Sequence, residues 1–324
     1  MDYILLIAGL GILLLGANYL VDGSVAIAQR AKISNFIIGL TVVGMGTSAP
    51  ELMVSVTSAI TGHGDMAVGN VVGSNICNVL LILGVTAVIA PFAIDSLTTR
   101  RDIPFAIGAT LLLVLLANDS MVPGISANTL SRLDGIFMLL IMLAYMVWIL
   151  IGKAKNPQAA IDEADGQCQS SLAGKPAWLL WMVVVASLAA LIGGGQVFLQ
   201  SAQRLAHAWG VSDAVIAITV VAVGTSLPEL VTAVVAACKR NAQLALGNVI
   251  GSCVFNVLFI LGLSAAISPI SVQGVGIVDY GMMMLSMVLC YVVVFTFGKK
   301  KMDRIEGVIF LALYVAYTAW LLVH

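Results

Sequence analysis

Two glutamates, Glu51 and Glu229, stand inside long apolar runs, each at the end of a near-identical motif, GTSAPEL and GTSLPEL. A carboxylate near the centre of a bilayer costs at least about 2.5 kcal/mol on insertion scales, so two in equivalent settings point to a shared task. Facing carboxylates repel unless a cation or a proton lies between them, and a divalent cation neutralises the pair. Pro50 and Pro228 offer no N–H to the preceding turn, which leaves carbonyls near Gly46 and Gly224 without helical partners. Gly44, Gly46 and Gly224 permit the tight backbone that follows from this. Within a membrane, such carbonyls are tolerated only where they line a protein-enclosed cavity, and there they commonly coordinate cations. Thr47, Ser48, Thr225 and Ser226 add hydroxyls one turn from each acid. On the next helix, Ser74 and Asn78, and likewise Ser252 and Asn256, lie four residues apart on one face. Small polar residues at such positions serve as interhelical contacts as well as ligands, and Asn70 and Asn248, beside Gly69 and Gly247, read as packing residues.

All these donors are hard oxygens, which select Ca²⁺, Na⁺ or Mg²⁺ over zinc, copper or iron. Mg²⁺ keeps its waters and wants a rigid octahedron, whereas a dry site of many flexible oxygens favours Ca²⁺. Composition does not separate Ca²⁺ from Na⁺, whose sizes are similar. The five cysteines (Cys77, Cys168, Cys238, Cys253, Cys290) lack CxxC spacing and read as small packing residues. Neither HExxH nor GxSxG occurs, and His63, His207 and His324 lie near loops or an end, so the chain does not read as an enzyme.

The elements that hold these residues must be membrane helices. Of 324 residues, 60% are hydrophobic and 10% charged, with mean hydropathy +1.07. Soluble domains carry roughly 25% charged residues, so a cytosolic enzyme, a nucleic-acid binder and a disordered chain are all excluded. Met1 is followed by Asp2 rather than a basic stretch, so the first apolar run reads as a retained span and not a cleaved signal peptide. Ten spans are predicted, at 3–29, 33–60, 66–90, 103–117, 132–151, 177–203, 211–238, 243–267, 276–297 and 305–323. Several are long for a hydrocarbon layer of about 30 Å, which implies tilt or breaks. Segment 152–176 reads as a polar linker between a first half, 1–151, and a second half, 177–324. With ten alternating spans, only Arg132 and Arg204 fall on one side, so thirteen of the fifteen basic residues share the other. That bias puts the linker in the cytoplasm and both termini outside.

Segments 41–84 and 219–262 align without a gap at a constant offset of 178 residues. About half the positions are identical, polar ones included, and Ile33-Ser34-Asn35 matches Val211-Ser212-Asp213 upstream. An offset of five helices reverses direction across the membrane. The reading is therefore an all-α integral membrane protein of two five-helix inverted repeats, with a substrate site at the midplane between the copies.

GTSAPEL with GNVVGSNICN, and GTSLPEL with GNVIGSCVFN, resemble the two alpha-repeats of the cation/Ca²⁺ antiporter superfamily, in its sodium/calcium exchanger branch. The resemblance implies electrogenic antiport in the plasma membrane, with several Na⁺ entering as one Ca²⁺ leaves. Glu51 and Glu229 would be the Ca²⁺ ligands, completed by the carbonyls of Thr47 and Thr225. Flanking Na⁺ sites would use Ser48, Ser74 and the Gly44 carbonyl in one copy, and Ser226, Ser252, Thr225 and the Ala222 carbonyl in the other. Asn78 and Asn256 would line the centre. The first and sixth spans would slide past a rigid core, with Gly16 and Gly194–Gly195 at their contact. Several relatives carry an aspartate where this chain has Asn256, which argues against K⁺ co-transport. The short linker has no room for the Ca²⁺-binding regulatory domains of animal exchangers. Ca²⁺ and Na⁺ are cargo, so no resident cofactor is expected, and no protein partner is called for beyond the lipid bilayer. Paired glutamates also suit an H⁺/Ca²⁺ antiporter or a passive cation channel. The Thr-Ser pairs before each acidic motif favour Na⁺, because proton-coupled relatives typically carry Asn there.

Overall fold

A computed structural model describes residues 1–94, 96–118, 128–155, 170–210, 222–295 and 301–323. Over these residues the chain is helical, apart from loops and two two-residue strand pairs. The helices are α1 (Asp2–Ala31), α2 (Asn35–Thr47), α3 (Ala49–Ile60), α4 (Gly64–Ile89), α5 (Ile103–Leu116) and α6 (Arg132–Lys155). The second half contributes α7 (Ala177–Ala208), α8 (Ala222–Thr225), α9 (Leu227–Cys238), α10 (Ala242–Ile267), α11 (Ile277–Val293) and α12 (Arg304–Val323). Six of them (α1, α4, α6, α7, α10 and α12) are long and apolar enough to cross a membrane. The pair α2–α3 is long and apolar enough when taken together, and is bent by 49° at a break. Residues 211–221, which open the seventh predicted span and hold the Val211-Ser212-Asp213 match, lie outside the described residues, as do linker residues 156–169.

The broken helices follow from their prolines. Pro50 and Pro228 sit in the first turn of α3 and α9, where a missing N–H is harmless, so each helix restarts rather than kinks. Ser48 and Ser226 occupy the breaks, with φ,ψ of −80°, 12° and −87°, 9°. A feature beyond the expected pattern is π-helical backbone at Gly39–Val43, Cys77–Ile82 and Asn256–Leu261. Such wide turns gather at functional sites, and two of these hold Asn78 and Asn256.

The copies meet reciprocally, as a two-fold relation requires. α1 packs antiparallel on α7 along a seam of glycines spaced by seven. A Cβ on Gly9 would stand 2.7 Å from Phe198 N, on Gly16 3.1 Å from Leu191 N, and on Gly23 2.9 Å from Val184 Cγ2. Gly194 meets Leu13 N at 3.0 Å, the mirror of the Gly16 contact, whereas Gly195 makes only ordinary contacts at 3.7 Å or more. The strands repeat the relation. Phe92–Ala93 pairs with Lys301–Met302, and their counterparts Ile270–Ser271 pair with Thr129–Leu130. Buried apolar side chains from α4, α10 and the inner faces of their neighbours form one continuous core around the two broken helices.

Candidate functional site

The breaks put both glutamates in the first turn of a restarted helix, and both are 1% exposed. Each is held by the other copy. Ser48 Oγ donates to Glu229 Oε1 at 2.9 Å, and Ser226 Oγ donates to Glu51 Oε1 at 3.3 Å. Thr225 flanks Glu51, and Thr47 flanks Glu229. The remaining oxygens, Glu51 Oε2 and Glu229 Oε2, are buried with no hydrogen-bond partner. The amide oxygens Asn78 Oδ1 and Asn256 Oδ1 are likewise buried and unpartnered. Four acceptors without donors, two of them on carboxylates, are costly in a dry interior unless a cation or a proton meets them.

Two other buried carboxylates show the contrast. Asp102 takes Nε and Nη2 of Arg101 at 2.8 and 3.2 Å and the Tyr145 hydroxyl at 3.1 Å. Glu306 Oε2 accepts the Asp303 N–H at 3.0 Å. Both belong to the scaffold.

The supporting contacts also cross between copies. The Gly44 carbonyl accepts from Ser48 N at 3.2 Å, from Thr47 Oγ1 at 3.4 Å and from Ser252 Oγ at 3.3 Å. Its counterpart helix α8, opened by Ala222, packs on the Gly64–Ile76 part of α4, which carries Ser74. Gly44 is joined to Ser252 rather than kept with the serine of its own copy, because the two-fold lays each broken helix against the following helix of the other repeat. Ser74 is buried and lines a cavity of about 320 Å³ with Asp65, Asn70, Gly73, Asp279 and Tyr317.

Asn70 and Asn248, read as packing residues, brace the acidic helices. Asn70 Nδ2 donates to the Glu51 carbonyl at 3.3 Å and to Ser55 Oγ at 3.0 Å, and Asn248 Nδ2 donates to the Glu229 carbonyl at 3.4 Å. Asn248 Oδ1 also accepts from Thr47 Oγ1 at 3.2 Å. Asn75, absent from the expected set, is fully buried and accepts from Asn256 Nδ2 at 3.1 Å. Its position four residues before Val79, on an apolar stretch, carried no spacing signal of its own.

Comparison with known proteins places this architecture. The profile of the sodium/calcium exchanger protein family matches residues 1–151 and 179–323. The inner membrane protein YrbG of Escherichia coli is 35% identical over 87% of this chain and 85% of its own length. The sodium/calcium exchanger MaX1 of Methanosarcina acetivorans is 31% identical over 98% of this chain and 97% of its own. Among solved structures, the sodium-calcium exchanger NCX_Mj soaked with 2.5 mM Na⁺ and 0.1 mM Ca²⁺ superposes with a TM-score of 0.78 at 29% identity, covering 98% of this chain and 97% of that one.

Proposed function

Because the chain belongs to the sodium/calcium exchanger family and is a multi-pass membrane cation exchanger rather than an enzyme, we propose that it moves Ca²⁺ against Na⁺ by alternating access at one midplane site between inverted repeats. The observation that carries this reading is the pair of unpartnered carboxylate oxygens, Glu51 Oε2 and Glu229 Oε2, in equivalent positions of the two copies. Two buried negative charges are balanced by one Ca²⁺ or by two Na⁺, with a third Na⁺ making the exchange electrogenic, so the cargoes compete for the same oxygens. Competition at one site, rather than simultaneous binding at two, is what makes transport an exchange.

In this reading Glu51 and Glu229 ligate Ca²⁺, with the carbonyls of Thr47 and Thr225 and the amide oxygens of Asn78 and Asn256 around it. Na⁺ occupies flanking positions. One draws on Ser48, Ser252 and the Gly44 carbonyl, and the other on Ser226, Ser74 and the Ala222 carbonyl. The reading also takes the ten helical runs as ten crossings in two halves, 1–151 and 177–324, joined by a cytoplasmic linker with both termini outside. The thirteen-to-two division of basic residues supports that orientation.

⁴⁵Ca²⁺ uptake into proteoliposomes tests the counter-ion. An outward Na⁺ gradient drives uptake, and a valinomycin-set potential changes its rate, as electrogenic exchange demands. Uptake driven by a pH gradient alone assigns H⁺ instead, and uptake persisting with no counter-ion gradient assigns a channel.

A further inference from the structure

Beside the site, the copies differ at a buried polar position that lies between them. The first reads GSNICN and the second GSCVFN, so the counterpart of Asn75 is Cys253. These counterparts touch each other. Asn75 Nδ2 donates to the Cys253 carbonyl at 3.2 Å, and Cys253 Sγ lies 4.0 Å from the Asn75 carbonyl. Two-fold-related residues in mutual contact lie on the axis, so Asn75 occupies a place where one side chain reaches both copies.

Both polar atoms of that side chain are engaged. Nδ2 is on Cys253, and Oδ1 accepts from Asn256 Nδ2 at 3.1 Å. The second bond decides which end of the Asn256 amide is left for other work. With its NH₂ held, Asn256 presents Oδ1, which is buried and has no donor. The π-helical segment that begins at Asn256 packs against α3, the helix that carries Glu51. A reversed amide would turn NH₂ donors toward the carboxylates and away from any role as a cation ligand. In the other copy the neighbour of Asn78 is the Cys253 thiol, a weak partner that holds an amide far less firmly.

We propose that Asn75 is a positioning residue for the exchanged cation: by holding Asn256 Nδ2 it fixes Asn256 Oδ1 as a ligand. The proposal rests on the exchanger reading above. Losing one buried hydrogen bond of this kind raises the KM for Ca²⁺ roughly three- to tenfold.

The test uses the full chain in proteoliposomes, with KM and turnover for Na⁺-driven ⁴⁵Ca²⁺ uptake. Asn75→Ala and Asn75→Cys are made in the native chain and in an Asn256→Asp background. Asn75→Cys copies the residue already accommodated at the axis in the other repeat, so it is the variant to read where Asn75→Ala folds poorly. In the native background KM rises three- to tenfold while turnover changes less than twofold. In the Asn256→Asp background the side chain has two acceptor oxygens and no amide to orient. The same substitutions then shift KM less than twofold from that background's own value. Ca²⁺ titration of the purified protein gives the same comparison where turnover is slow. Equal shifts in both backgrounds, or a fall in turnover with KM unmoved, overturn the proposal and leave Asn75 a scaffold residue. A Glu51→Gln protein that still exchanges overturns the exchanger site itself, whereas an inactive Glu51→Gln with unmoved KM in the Asn75 variants overturns only the role of Asn75.

Discussion

At the scale of single residues, the candidate site stands out by two buried carboxylate oxygens left unsatisfied. Glu51 and Glu229 are as buried as Asp102, yet each keeps one carboxylate oxygen without a donor, while Asp102 is enclosed by Arg101 and Tyr145. Neutralising either glutamate removes a charge the cation needs, so Glu51→Gln and Glu229→Gln abolish Na⁺-driven ⁴⁵Ca²⁺ uptake. Asp162→Asn, in the linker outside the described residues, leaves uptake unchanged and serves as the control. The crossed serines give a graded prediction. A hydrogen bond to a charged group contributes about 1.5–3 kcal/mol, or roughly ten- to a hundredfold in affinity. Ser48 lies at 2.9 Å from its carboxylate and Ser226 at 3.3 Å, so Ser48→Ala weakens Ca²⁺ binding more than Ser226→Ala in a titration of the purified protein. The glutamates were legible in the sequence because an acid in an apolar run is costly and two at one offset are hard to explain otherwise. Asn75 was not, because its work depends on meeting its own counterpart 178 residues away on an axis that no local spacing reveals.

At the scale of elements, two features join α1 to its neighbours. The first is its glycine seam with α7, where backbone meets backbone. Gly16→Val adds atoms where a Cβ already stands 3.1 Å from the Ser187 carbonyl, so it slows uptake at least tenfold with Ca²⁺ binding retained. Gly11→Ala, on the same helix with open space around it, leaves uptake unchanged. The second is charge. Lys239 Nζ, just past α9, reaches Asp22 Oδ1 of α1 at 2.6 Å and the Asn18 carbonyl at 3.0 Å. Ser170 and Ser171 close over the same turn of α1, on the Asp22 carbonyl at 2.8 Å and Asp22 Oδ2 at 2.9 Å. At the opposite end Arg204 pairs with Asp2, but its side chain is 50% exposed, and surface pairs contribute about 0–1 kcal/mol. The shielded pair therefore dominates. Lys239→Ala speeds hydrogen exchange over 18–31, the Asp22→Lys/Lys239→Asp swap restores it, and Arg204→Ala changes it little. Unchanged exchange in Lys239→Ala would show that the pair does not tether α1. Helix positions were legible from apolar runs, and the breaks from Pro50 and Pro228. The π-helical turns were not, because they have no marker residue.

At the scale of the whole molecule, the pseudo-two-fold does the organising. It explains why Ser48 serves Glu229 while Ser226 serves Glu51, and why Gly44 meets Ser252: each broken helix completes a site in the other copy. On the exchanger reading, neither half therefore holds a finished site. Copies related by an axis in the membrane plane would enter from opposite sides, and the bias of basic residues then decides which face is which. Cys238 offers a direct check. It is exposed at the end of α9, next to Lys239, whereas Cys77, Cys253 and Cys290 are buried. On the proposed ten crossings with both termini outside, that end of α9 would face the cytoplasm, together with thirteen of the fifteen basic residues. In a Cys168→Ser chain, which removes the linker thiol, a membrane-impermeant maleimide labels inside-out vesicles. Right-side-out vesicles stay unlabelled until they are permeabilised. Labelling of intact right-side-out vesicles would put Lys239 outside and Asp22 with it. That outcome would reverse the proposed orientation and put both termini inside, while the inverted relation between the copies, which rests on the five-helix offset, would stand.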